Sequence, residues 1–162
     1  MKLEYHGEEL IPVGPPTVWA FVSDPEKVAR CLPEVVDVTV TDATHAEAVV
    51  SVAVGPVRGK FKLRLALAAD QARQRIELKV SGGGFGSAVD LSAGADVIAA
   101  GAQATSLKWT GEAEVRGPVA AVGGRVLDAQ AHKLISQAFA NVKGALSNVD
   151  PSAAPDARDR SA

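Results

Sequence analysis

Residues 60–67 read KFKLRLAL, and this stretch decides which kind of structure the chain can form. Large apolar side chains occupy every second position, and Lys60, Lys62, Arg64 and Ala66 fill the positions between them. Successive side chains of a β-strand point to opposite faces of a sheet. The clearest period-2 signal in the chain therefore predicts a strand with one apolar face and one basic face.

The same alternation continues on both sides of this strand. Further segments of this kind occur at 36–41, 47–54, 76–80 and 107–116, with a weaker glycine-rich segment at 85–98. Short turns separate them. Six or seven consecutive strands joined in this way predict an antiparallel meander with one face in water.

A strand and two short helices are predicted before the meander. Residues 3–11 form the strand, and a proline-rich stretch then introduces a helix near 17–22. Asp24 is an N-cap candidate for a second short helix, which has proline at its first position. That helix should end before Pro33, because the residue before a proline avoids the helical region.

After Gly117-Pro118 the spacing of the apolar residues becomes helical and stays so to about Leu146. We expect one helix of about 29 residues, roughly 43 Å long. Residues 149–162 are polar and rich in Pro, Ala and Asp, so we expect a disordered tail after a single domain at 1–148. The fold class is α+β, with a curved antiparallel sheet of six to seven strands wrapped around a long C-terminal helix.

Composition narrows the function. A net charge of −2 gives no footprint of nucleic-acid binding. The single cysteine, Cys31, excludes an internal disulfide and is interpreted as a small buried side chain rather than a reactive thiol. The chain begins without a signal-like apolar run, so we expect a cytoplasmic protein. No spacing of His, Cys, Asp and Glu predicts a metal site, and no cofactor is expected.

Small residues on the predicted inner rows favour a cavity between sheet and helix. Ala93, Ala95, Gly111 and Ala113 are expected there, opposite Gly123 and Gly124 at the helix start. A lipophilic small molecule is the expected occupant. The side chains expected to line the cavity are Tyr5, Glu9, Phe61, Leu63, Leu65, Leu78, Phe85, Leu107, Trp109, Val122 and Val126.

Glu9 is the least expected of these residues, because simple alternation places it on the same face as Leu3, Tyr5 and Ile11. An inward carboxylate is costly unless it has a partner. Glu9 either anchors the polar head of a ligand or is turned outward by a β-bulge, and we favour the bulge.

Asp128 and His132 stand four residues apart on one helix face, a spacing that general-base chemistry can use. No third group lies within sequence reach, so a solvated charge cluster is the favoured interpretation and no catalytic residue is assigned. Gly82–Gly86 is interpreted as a turn at the cavity rim, with a gate as the alternative.

The basic positions of residues 60–64 form either a solvated face or a docking site for an acidic partner enzyme.

Several motifs in order carry a resemblance to a known family. The order of elements resembles the helix-grip superfamily of START domains and polyketide cyclases, and the local sequence is similar to the CoxG family of carbon monoxide dehydrogenase systems over about residues 3–147. The matching motifs are Ile11-Pro12, Val18-Trp19-Ala20, Asp24-Pro25-Glu26, Cys31-Leu32-Pro33, Val54-Gly55-Pro56-Val57, Gly59-Lys60-Phe61, Gly123-Gly124-Arg125, Leu127-Asp128 and Lys133-Leu134. Glu34 stands where the family usually has glycine.

The resemblance implies a non-catalytic accessory protein with a molybdenum hydroxylase as its partner. Such a protein carries a quinone or lipid-like molecule, or brings the enzyme to the inner face of the membrane as a peripheral contact. An enzyme of the cyclase or hydratase type is the alternative, and it requires Glu9, Tyr5 and His132 to converge. An interaction module with a filled core is a third possibility.

Overall fold

A computed structural model describes residues 1–147, so the tail expected at 149–162 lies outside the described residues. The strands of this part of the chain are β1 (Lys2–Ile11), β2 (Val35–Asp42), β3 (His45–Val54), β4 (Val57–Asp70), β5 (Arg75–Gly84), β6 (Ser87–Ala99) and β7 (Thr105–Arg116). The helices are α1 (Pro15–Val22), α2 (Pro25–Arg30) and α3 (Gly124–Ser147), with a 3-10 turn at Ala120–Val122 before α3.

The strands form one sheet in the order β1-β7-β6-β5-β4-β3-β2, and every neighbouring pair is antiparallel. Hairpins join β2 to β7 in sequence, whereas α1 and α2 carry the chain from β1 to the opposite edge. The sheet faces α3 with its inner face and solvent with its outer face. The predicted fold class is confirmed.

The short helices begin where the sequence predicts. Asp24 accepts hydrogen bonds from the backbone N–H groups of Glu26 and Lys27, at 2.9 and 3.4 Å, and so caps α2. Such a cap satisfies donors that have no partner within the helix. Ala29 of α2 is fully buried against the inner face of the sheet, with Ala46, Ala48, Leu65 and Val80.

The long helix begins later than predicted. Gly123 has a φ of 98°, in the left-handed region, and separates the 3-10 turn from α3. The helix has 24 residues and is therefore about 36 Å long. A Cβ at Gly123 would have no atom within 4 Å, so this glycine does not pack against the small residues of the sheet as expected. It serves the turn, because a positive φ favours glycine.

Strand β2 also departs from simple alternation. Its register against β3 shifts between Val35 and Asp37, which leaves Val36 in the irregularity and exposed. Val40 is exposed as well. The prediction that the valines at 36–41 form one apolar inner row is wrong, because an irregularity at an edge strand breaks the period of two.

The buried side chains form three separate clusters. One lies under α1 and includes Leu146, near the end of α3. The second lies between α2 and the sheet, and the third surrounds Leu127, near the start of α3. Helix α3 is therefore anchored at both ends, and among the described residues its middle adds no side chain to the second cluster.

Candidate functional site

The space between the middle of α3 and the inner face of the sheet is incompletely filled. Leu127 and Leu146, at the two ends of the helix, are 6% and 0% exposed, whereas Leu134 in the middle is 36% exposed. On the opposite wall Leu63, Leu78 and Leu91 are only half-buried. Closely packed interiors bury such leucines. We call the space between residues 131–138 and these three leucines the inner gap.

Small residues on β6 and β7 explain why the inner gap stays open. The register places Ala93 opposite Gly111 and Leu91 opposite Ala113, all on the inner face. The alanine and glycine side chains end at Cβ or are absent, so they reach only a short way towards α3. The predicted placement of these small residues on the inner rows is confirmed by the register.

One side of the inner gap is closed by contacts between α3 and the β1–β7 edge, which we call the seam. The Tyr5 hydroxyl donates a hydrogen bond to Asp128 Oδ1 at 2.7 Å. Lys143 Nζ donates to Glu9 Oε1 at 2.8 Å. The seam also contains the rings of Trp109 and Phe139, whose centroids are 5.4 Å apart.

Glu9 points inward, and the favoured bulge is wrong. Strand β1 pairs with β7 without a register shift from Lys2 to Ile11. The carboxylate is instead compensated by Lys143, and both side chains are partly exposed. A half-buried charge tolerates this position because its partner removes most of the cost of desolvation.

A polar cluster occupies the other end of the seam. His132 Nε2 lies 3.6 Å from the Asp128 oxygen that accepts the Tyr5 bond, and the Tyr5 and His132 rings meet edge to face at 5.1 Å. Desolvation, followed by the bond to Asp128, raises the pKa of Tyr5 to about 12. Asp128 and His132 are both more than half exposed.

Tyr5 is the third group that sequence reasoning missed beside Asp128 and His132. The set required by the enzyme alternative meets only in part. Tyr5 and His132 come together, but Glu9 lies four residues further along β1, about 13 Å away, and is held by Lys143. The cluster can orient a proton donor, yet it opens to water.

The remaining residues expected to line a cavity fall into three groups. Phe61, Leu65 and Leu107 are fully buried. Leu63, Leu78, Trp109 and Val122 are half-buried, with Val122 beside the turn at Gly55. Phe85 and Val126 are exposed.

Phe85 lies in the turn between β5 and β6 and is 62% exposed. Phe85 and Gly86 form a two-residue turn with φ values of 56° and 78°, as expected when Gly84 pairs with Ser87. The Phe85 ring lies over Gly59, in space that a Cβ at this glycine would occupy. The glycine-rich segment is thus a tight turn at one end of the inner face.

Trp109 carries a polar atom with no visible role in the fold. Its Nε1 is buried and, among the described residues, has no hydrogen-bond partner. The ring packs on Gly7, where a Cβ would lie 2.9 Å from the indole. A buried donor without an acceptor is unusual in folded proteins and calls for an explanation.

The outer face carries a groove that the sequence did not predict. It has a volume of about 550 Å³, and its lining includes Glu4, His6, Glu77 and Thr110. Gly94 lets the Arg75 guanidinium lie flat across the sheet, because a Cβ there would collide with it. Arg75 is held by Glu77 and Asp96 at 3.3 and 3.1 Å.

Cys31 is buried, and burial raises the pKa of its thiol to about 11. Among the residues that the structure describes, no three His, Cys, Asp or Glu side chains are grouped so that they could hold a metal ion. No helix within residues 1–147 has both the length and the apolar character needed to cross a membrane.

Solved structures share this fold. A conserved protein from Geobacillus kaustophilus superposes with a TM-score of 0.80 at 24% identity, over 90% of this chain and 95% of that one. A START superfamily protein from Mycobacterium smegmatis gives 0.70 at 15% identity, over 91% and 99%. The Zhui aromatase/cyclase from Streptomyces sp. R1128 gives 0.65 at 15% identity, over 91% and 94%. The fold is therefore START-like.

The sequence itself identifies the branch of this superfamily. No curated protein is significantly similar to the chain in sequence. The family model for CoxG, a protein of carbon monoxide dehydrogenase, matches residues 7–147, which is most of the chain. This match agrees with the motifs that open the chain, follow β3 and begin α3. The protein belongs to the CoxG family.

Proposed function

We propose that the protein is a non-catalytic accessory protein that binds a lipophilic molecule in the inner gap. The observation that carries the proposal is the partial exposure of Leu63, Leu78 and Leu91 opposite the loosely packed middle of α3. Apolar side chains around a pre-formed space are typical of sites for lipophilic ligands. Membership of the CoxG family supports a molybdenum hydroxylase of the carbon monoxide dehydrogenase type as the system served.

A quinone is the ligand class that we favour. Its ring and tail would cover the half-buried leucines, and each 100 Å² of apolar surface removed from water contributes roughly 2.5 kcal/mol. A carbonyl oxygen would also accept a hydrogen bond from Trp109 Nε1, which has no partner among the described residues. A pure hydrocarbon would leave that donor unsatisfied, at a cost of about 1–3 kcal/mol.

This function places the protein in the cytoplasm, with peripheral contact at the inner face of the membrane where quinones are exchanged. The polar seam would then hold α3 closed over the ligand. The hydrogen bond from Tyr5 to Asp128 and the ion pair of Glu9 with Lys143 are the contacts that would have to loosen on release.

The test is whether a quinone copurifies and whether filling the inner gap excludes it. Native mass spectrometry with organic extraction identifies the cargo, and titration with a short-chain ubiquinone gives its affinity. Ala93→Leu fills the gap, whereas Ser92→Leu adds the same side chain to the outer face of the same strand. We expect Ala93→Leu to weaken quinone binding by about tenfold or more, which corresponds to at least about 1.4 kcal/mol.

Ser92→Leu should bind the quinone like the unaltered protein. A protein that neither copurifies with a lipophilic molecule nor binds the added quinone would refute the proposal. Equal affinity of the two variants would show that the quinone binds elsewhere.

A second candidate, an enzyme of the cyclase or hydratase type, is favoured by one observation. Tyr5 and His132 converge on Asp128 at the edge of the inner gap, as an acid–base group would. Turnover of a conjugated polycarbonyl substrate, lost in His132→Gln and retained in Glu9→Gln, would support this candidate. The absence of any such turnover would leave the cluster as part of the seam.

A further inference from the structure

Four basic side chains stand in line on the outer face of β4. Arg58, Lys60, Lys62 and Arg64 alternate with the inward residues of the strand, and all four are exposed. At the rise of an antiparallel strand they are about 7 Å apart and together span about 20 Å. We call them the basic row.

The basic row lacks acidic partners. Within residues 1–147 none of its four members forms an ion pair. Their opposite residues on β3 are Ala53, Ser51, Val49 and Glu47, so a single carboxylate faces four cations. On β5 the facing residues are Gly83 and Ser81.

The rest of the outer face is organised differently. Lys2 pairs with Glu112 at 2.9 Å, Arg75 with Asp96 at 3.1 Å, and Arg116 with Asp90 at 2.7 Å. Several cations there, on β1, β5 and β7, are neutralised by carboxylates of adjacent strands. The outer face is therefore divided into a basic half over β4 and a half over β1, β6 and β7 where the charges are paired and carboxylates abound.

This division points to a function for the basic row. Like charges two residues apart on one strand repel each other, and the fold supplies almost nothing to offset this repulsion. An external partner with carboxylates would offset it. A straight row with a spacing of about 7 Å matches the alternate side chains of an extended acidic segment.

We propose that the basic row is a docking site for an acidic protein segment. A protein partner fits better than an anionic membrane, because a uniformly negative surface would also meet the carboxylates of Glu4, Glu112 and Asp90 on the same face. The basic row and the inner gap lie on opposite faces of the sheet. Docking therefore leaves the gap free and does not depend on the proposed ligand.

The test uses a fluorescently labelled poly-L-glutamate peptide and fluorescence anisotropy at low salt. The double variant Lys60→Gln/Lys62→Gln removes two charges from the basic row. The matched control, Arg125→Gln/Lys133→Gln, removes two exposed charges from α3, on the other side of the molecule. Both variants have the same net charge, so a difference between them reports the location of binding.

We expect the peptide to bind the unaltered protein with an affinity that falls as salt rises. The row variant should lose about tenfold in affinity, as expected for two rim charges, and the control should lose less than about threefold. Equal losses in both variants would overturn the proposal, because they would indicate attraction to the protein as a whole. So would an absence of peptide binding.

Vesicles of phosphatidylglycerol provide the remaining arm of the test. Row-dependent binding to vesicles without binding to the peptide would replace the protein partner by a membrane and overturn the proposal. Thermal unfolding of both variants, with midpoints near that of the unaltered protein, would show that the fold is retained.

Discussion

Truncating leucines along α3 tests whether its middle is less well packed than its ends. Leu146→Ala removes a side chain with 0% exposure and should destabilise the protein by about 3–4 kcal/mol, within the range of large-to-small core substitutions. Leu134 is 36% exposed, so about two-thirds of it is buried, and its wall already faces open space. The loss of transfer energy alone, with no new cavity, gives about 1.5 kcal/mol or less for Leu134→Ala.

The two substitutions are chemically identical and lie on the same helix, so helix propensity cancels between them. Urea unfolding monitored by circular dichroism gives both free energies of unfolding, provided that the m-values agree. Leu127→Ala, at the other buried end, should resemble Leu146→Ala. If Leu134→Ala were as costly as the two end variants, the middle of α3 would be packed and the inner gap would not exist.

Three further predictions concern single side chains. Tyr5 is the one tyrosine of the chain, so its ionisation can be followed directly by ultraviolet absorbance. Its raised pKa of about 12 favours the protonated folded form, so this contribution to stability is complete below about pH 10 and is lost between about pH 10 and 12. Asp128→Asn should lower the midpoint only part of the way, because desolvation is the larger cause, and a midpoint near 10 in the unaltered protein would contradict the geometry. Cys31, with a pKa raised to about 11 by burial, should react with a thiol reagent far more slowly in the native protein than in denaturant, and equal rates would show that it is accessible. Gly7→Ala would place a methyl group 2.9 Å from the Trp109 ring and should cost about 1–3 kcal/mol in urea unfolding, whereas an unchanged midpoint would show that the ring moves freely.

The same fold carries catalysts as well as binding proteins, as the Zhui aromatase/cyclase shows among the solved structures. Function therefore depends on the groups that face the space between sheet and helix. In this chain the middle of that space is lined by leucines and small residues, and the polar groups lie along the seam. This distribution favours binding over acid–base chemistry.

Much of the architecture could be predicted from the sequence, because strand faces and helix starts depend on neighbouring residues. The alternation at 60–67 predicted both faces of β4, and the Asp24-Pro25 pair predicted the start of α2. Local rules failed where the chain interrupts its own period. The irregularity after Val35 moved Val36 out of the apolar row, and the positive φ of Gly123 delayed the start of α3.

The sequence by itself determined the order of the elements, the inward rows and the family, since each rests on local pattern or on motifs along the chain. Only the tertiary structure decided which polar groups meet. Tyr5 and Asp128 are 123 residues apart, and Glu9 and Lys143 are 134 apart, so no spacing rule connects them. The inner gap has the same origin. Alternation fixes which side chains point inward, but how completely they fill the space depends on the distance at which α3 crosses the sheet.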